Sequence, residues 1–103
     1  MADPMKIRAN AVGDATEVKV LMSHEMETGQ RKDSQGKTIP AWFIQTVHVV
    51  HNGRTVLAAQ WGPAVAKNPF LAFKFKGGAK GDKVQITWID NHGDKRTDEA
   101  TIA

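Results

Sequence analysis

With 103 residues the chain has room for one domain, spanning 1–103, and for a core that stands without staples. It contains no cysteine, which excludes a disulfide framework, a thiolate metal site and a thiol nucleophile. Its net charge of +3, from 14 Lys and Arg against 11 Asp and Glu, is scattered rather than gathered into the aromatic-interleaved stripe that nucleic acid requires, and no apolar run approaches the roughly 20 residues of a membrane helix.

Period-2 alternation dominates, and no amphipathic helix is read anywhere. Met5 to Asn10 reads as a first strand. Glu17 to His24 reads as a second, with Val18, Val20 and Met22 on one face and Lys19 and Ser23 on the other. A charged loop, Gly29 to Ile39, ends at Pro40. Trp42 to His51 is the longest predicted strand. Asn52-Gly53 then predicts a two-residue hairpin, because both residues tolerate the positive φ of a type I′ turn. Arg54 to Trp61 returns, and Gly62-Pro63 breaks the sheet before a crossover to Pro69. Phe70 to Lys76 places Leu71, Phe73 and Phe75 inward. Lys83 to Asp90 follows a Gly-rich turn and places Val84, Ile86 and Trp88 inward. After Asn91-His92-Gly93-Asp94 a last strand ends near Ile102. Seven short strands at intervals of roughly 8–12 residues point to an all-β antiparallel sandwich of the immunoglobulin-like kind, without its disulfide.

Neighbouring strands carry apolar residues at both parities. Strict alternation puts Trp42, Ile44 and Val50 on one face of the long strand and Phe43, Val47 and Val49 on the other. In the return strand, Leu57 and Trp61 oppose Val56 and Ala58. A second apolar face needs a cover, so Trp42, Ile44, Val50, Leu57 and Trp61 are the candidate partner interface.

Side chains that carry chemistry are sparse. His24 and Met26 share a strand face, but zinc requires three or four ligands and the other histidines lack a matching spacing, so they read as a packed strand end. His48 and His51 point to opposite faces; His51 reads as a hairpin cap. Ser23 and His24 are adjacent and project oppositely. No GxSxG, P-loop or GxGxxG is present. No catalytic residue, metal or cofactor is expected. The loop containing Arg31, Lys32 and Lys37 is longer than most hairpin loops, and long loops in compact domains are often functional.

Leu21 to Ile44 holds the most specific pattern: Ser23-His24, Met26-Glu27-Thr28-Gly29, Arg31-Lys32-Asp33, Gly36-Lys37 and Ile39-Pro40, in that order. With Phe43-Ile44, Asn52-Gly53, Asn68-Pro69 and Thr87-Trp88 this resembles the SoxZ family along nearly the whole chain. The resemblance implies an immunoglobulin-like subunit of the SoxYZ sulfur carrier of bacterial thiosulfate oxidation. Its SoxY-like partner bears the sulfur-binding cysteine on a Gly-Gly-Cys-Gly-Gly arm. Lacking both cysteine and arm, this chain would be the non-catalytic scaffold in a heterodimer or higher assembly. Arg31, Lys32 and Lys37 would then lie where Sox enzymes dock transiently. Met1 to Asn10 shows no apolar signal segment, which read alone means cytoplasm. The resemblance implies instead the periplasm, reached by co-export with a signal-bearing partner. The alternative reading is a small basic β-domain binding single-stranded nucleic acid, with Trp42 and Trp61 as stacking platforms.

Overall fold

A computed structural model describes residues 3–103. Seven strands alternate along the chain: β1 (Lys6–Val12), β2 (Ala15–Leu21), β3 (Ile44–His51), β4 (Arg54–Gln60), β5 (Phe70–Lys76), β6 (Lys83–Asp90) and β7 (Lys95–Thr101). No helix forms among the described residues. All neighbours pair antiparallel, in sheets ordered β1-β2-β5 and β4-β3-β6-β7. This is the sandwich that the alternation predicted, with the immunoglobulin-like arrangement of three strands facing four.

The core is the set of inward positions. Val18, Val20 and Met22 follow β2; Val84, Ile86 and Trp88 follow β6; all six are essentially without exposure, as expected from their period. Phe75 and Ile102 close one end. Thr16 is buried there too, and its hydroxyl donates to the Gly77 carbonyl at 2.7 Å. Asn52 and Gly53 take φ of 51° and 77°, the two left-handed residues required of the β3–β4 turn.

Strict alternation fails in β3, and this corrects the predicted faces. Ile44 pairs with Asp90 while Thr46 pairs with Ile89, so the register shifts at Gln45. The bulge carbonyl of Gln45 accepts the Trp61 amide at 2.8 Å. One extra residue inverts parity. Ile44 therefore joins Val47 and Val49 in the core instead of opposing them. A second shift, between Val49 and Val50 against β4, leaves Leu57 opposite the inward Val49. Val50 pairs with Gln85 on the outer face.

The two long sides of the sandwich differ. On one, Met5 donates its amide to Asp98, and Ala11 and Ala103 exchange backbone bonds with the chain across the gap, closing β1 onto β7. On the other, β4 and β5 are both sheet edges. Val56, Leu57, Trp61, Val65, Leu71 and Phe73 pack against the core there yet stay half-exposed.

Candidate functional site

The long segment between β2 and β3 starts and ends at one buried polar cluster. His24, just past β2, is 6% exposed, and Asp90, the last residue of β6, is 2% exposed. His24 Nε2 donates to Asp90 Oδ2 at 3.0 Å. The Met26 amide donates to His24 Nδ1 at 3.0 Å, which fixes the imidazole as the neutral Nε2–H tautomer. Trp42, at the far end of the segment, donates its indole N–H to the same Asp90 Oδ2 at 2.7 Å. Asp90 Oδ1 accepts the amides of His92 and Asp94, both at 2.9 Å. Burial pushes the Asp90 carboxyl up, and the bonds donated by His24, Trp42 and these two amides outweigh it, holding the group below the ordinary carboxylate range.

Aromatic rings wall this cluster. His24 meets Trp42 and Trp88 edge-on, each at 5.1 Å, and Trp42 stacks on His92 at 5.2 Å with rings 2° from parallel. Beside it opens a cleft of about 210 Å³ whose lining includes Asp3, Ser23, His24, Trp42, Asn68 and Trp88. Both imidazole nitrogens are already engaged, so His24 offers Ser23 no free lone pair; the Ser23 hydroxyl instead donates to the Asp3 carboxylate at 3.5 Å. Met26 is equally occupied: its sulfur accepts the Ile44 amide at 3.4 Å. Among the described residues no group of three or more His, Cys, Asp or Glu converges on a metal-sized site.

Above the clamp the loop is built, not slack. Glu27 and Trp42 pair as an isolated β-bridge, as do Lys32 and Thr38. Asp33 closes the tip by accepting the amides of Gln35 and Lys37 on one oxygen. The result is a hairpin-like arm. Of its predicted docking residues, Arg31 is tied to Glu27 by an ion pair at 2.6 Å. The Arg31 hydrogen bond is the main cause holding the Glu27 carboxyl below its usual value. Lys32 and Lys37 are exposed, with no ion pair among the described residues.

The sequence motif thus acquires a physical meaning. Ser23-His24 enters the clamp, Met26-Glu27-Thr28-Gly29 turns out of it, Arg31-Lys32-Asp33 through Gly36-Lys37 forms the arm, and Ile39-Pro40 leads back to Trp42. Residues 5–101 match the family model of sulphur oxidation protein SoxZ.

The chain belongs to the SoxZ family.

A comparison with curated proteins gives no match. Membership supports a role in sulfur oxidation. Within this SoxZ fold the five residues predicted as one partner face do not share a surface. Ile44 has no exposed area to offer. Trp42 belongs to the clamp. Leu57 and Trp61 flank the open β4 side, and Val50 lies on the outer face of β3. Trp42 stacked on His92 and Trp61 packed against the core are poor platforms for bases, so the nucleic-acid alternative finds no support. His51, expected as a hairpin cap, instead reaches Asp82 in the β5–β6 turn at 2.9 Å. Asp90 was missed by motif reading. Its signal was there: it continues the inward period Val84, Ile86, Trp88, and an acid on a core face requires partners.

Proposed function

We propose that this chain is the non-catalytic scaffold subunit of a SoxYZ-type sulfur carrier. The carrying observation is a SoxZ match over residues 5–101 in a sequence without cysteine. A covalent sulfur carrier requires a thiolate, which this chain cannot supply, so a SoxY-like subunit bears the sulfur and this one supports it. The engagement of both His24 nitrogens favours a structural role for the clamp over a catalytic one. In this reading the SoxY-like subunit covers the open β4–β5 side, where Leu57 and Trp61 are half-exposed, and reaches Val50 around the β4 edge. Ile44 drops out of that interface. Sox enzymes visit the arm through Lys32 and Lys37, with Arg31 shaping it. The complex works in the periplasm, where the chain arrives with its signal-bearing partner.

Co-expression with a SoxY-like chain, affinity capture and mass measurement test the pairing. Thiosulfate oxidation in a reconstituted Sox system tests the role. A stable heteromeric complex, required for turnover, is the expected result. Absence of pairing, or thiosulfate conversion by the purified chain alone, would overturn the scaffold reading.

A further inference from the structure

The outer face of the β1-β2-β5 sheet has a composition unlike the rest of the molecule. Register sets its side chains in rows: Lys6, Leu21 and Phe70; then Arg8, Lys19 and Ala72. The next rows are Asn10, Glu17 and Lys74, and Val12, Ala15 and Lys76. Five cations against one carboxylate give this face a net charge of +4, whereas the whole chain carries +3. Everything else is therefore slightly acidic. Val12, Leu21 and Phe70, exposed by 54%, 40% and 62%, are the large hydrophobic residues exposed among the described residues, and all three stand on this same face. Leu21 and Phe70 are direct cross-strand partners, so they form one apolar spot with Lys6 beside it and Arg8 and Lys19 in the next row.

We infer that this face docks an acidic protein surface that presents an apolar side chain to the Leu21–Phe70 pair. Charge complementarity selects the occupant. A second copy presenting the same face would oppose +4 to +4. A uniform polyanion, whether nucleic acid or a lipid surface, meets an obstacle in Glu17. Its carboxylate stands in the middle strand between Lys19 and Lys74, 3.6 and 3.8 Å from their amines. A patterned protein surface accommodates that single negative charge; a continuous phosphate array does not. The sheet face is also small. Three strands of seven residues cover about 14 by 24 Å, well below the roughly 800 Å² per partner of a stable interface, so the contact suits a brief visit rather than a permanent subunit. This face is distinct from the arm, and it shares β5 with the open β4–β5 side but uses that strand's outward residues rather than its edge. Applied to the Sox system, the inference rests on the carrier reading and adds to it a docking face for an acidic visiting protein.

The experiment uses the complex with its SoxY-like subunit, immobilised and titrated with each purified Sox enzyme at low and high salt. Two variants divide the face: the charge variant Arg8→Gln, Lys19→Gln, Lys74→Gln, and the apolar variant Phe70→Ser. For at least one enzyme the charge variant should slow association roughly tenfold at low salt and remove most of the salt dependence. Phe70→Ser should mainly hasten dissociation of that enzyme. Both should retain the SoxY-like subunit and the wild-type circular dichroism. Enzyme binding unchanged in both variants would overturn the docking face while leaving the carrier reading intact. A wild-type chain that binds neither a SoxY-like subunit nor any Sox enzyme would overturn both. Binding to phosphatidylglycerol vesicles or single-stranded DNA that the charge variant abolishes, with enzyme binding unaffected, would assign the face to a polyanion and overturn the protein occupant.

Discussion

At the residue scale, Asp90 is the most connected polar side chain among those described. It takes bonds from His24, Trp42, His92 and Asp94, linking β6 to both ends of the β2–β3 segment. Asp90→Asn keeps the shape but removes the charge and turns an NH₂ toward at least one donor. The expected loss is about 2–3 kcal/mol of unfolding free energy at neutral pH, read from urea midpoints. Trp42→Phe removes one of the four bonds and keeps a ring against His24, so its loss should be nearer 1 kcal/mol. The wild-type fold should also be acid-sensitive in a defined window. Asp90 ionises more readily folded than unfolded, through the balance of burial and hydrogen bonds described above. Its contribution is therefore complete above the unfolded carboxyl value, about 3.9, and drains away as pH falls through the lower folded value. Asp98, held down first by its Arg96 hydrogen bond, acts in the same sense. Urea midpoints should decline below about pH 4, and Asp90→Asn should flatten that decline. An unchanged slope in the variant would show that Asp90 has no part in it. His24 was visible in the sequence as part of a motif, but its partner lies 66 positions away. Local spacing could not supply that pairing; only the inward period of β6 hinted at it.

At the element scale, strand existence was legible because burial imposes the two-residue period, and the seven strands lie where that period placed them. Faces were legible only where the period is unbroken. In β2, β5 and β6 the inward sets match, whereas the Gln45 bulge inverted Ile44 and took it out of the predicted partner face. A bulge leaves no strong local mark in sequence, and here the Gln45 carbonyl is taken up by the amide of Trp61, distant in the chain. Turns obey local chemistry more closely. Gly53→Val should cost about 1–2 kcal/mol, because a β-branched side chain resists the positive φ of the hairpin. Gly78→Ala should cost more, although alanine is smaller. Gly78 has φ of 88°, and a Cβ there would run into the buried Thr16 hydroxyl and crowd Ile102 and Phe75. Thermal melts of the two variants should rank in that order. For the arm, replacing Arg31, Lys32 and Lys37 together with Ala should leave the melt nearly unchanged. Arg31 is 64% exposed, so its pair with the more sheltered Glu27, 12% exposed, is open to solvent on one side and adds little. The rate of thiosulfate oxidation in a reconstituted system should fall at low salt and converge with wild type at high salt, as expected for lost electrostatic steering. Equal rates at low salt would make the arm a plain connector.

At the scale of the whole molecule, the chain is long and thin: 53 × 20 × 20 Å, with a radius of gyration of 15.4 Å. A compact domain of this length has a radius near 13 Å. Strands of seven or eight residues account for about 24–27 Å of the long axis, so loops such as the arm supply the rest. An elongated sandwich has much surface for its core, and here one long side is sealed by β1 and β7 while the other leaves β4 and β5 as unpaired edges. Free strand edges next to half-exposed Leu57, Trp61, Leu71 and Phe73 are a template for another chain. The isolated protein should therefore self-associate with rising concentration, and a SoxY-like subunit should suppress this by covering the same side. Each such side chain taken fully out of water contributes roughly 1.5–3 kcal/mol before association costs, and half-exposed ones contribute less, so several must be covered together. Sedimentation velocity of the chain alone across a concentration series, and again with an equimolar SoxY-like subunit, reads both halves of the expectation. Amide hydrogen exchange in the mixed sample should slow at β4 and β5 and stay unchanged at β1 and β7. A strictly monomeric chain at high concentration, with exchange at β4 and β5 indifferent to the partner, would place the permanent interface elsewhere on the sandwich.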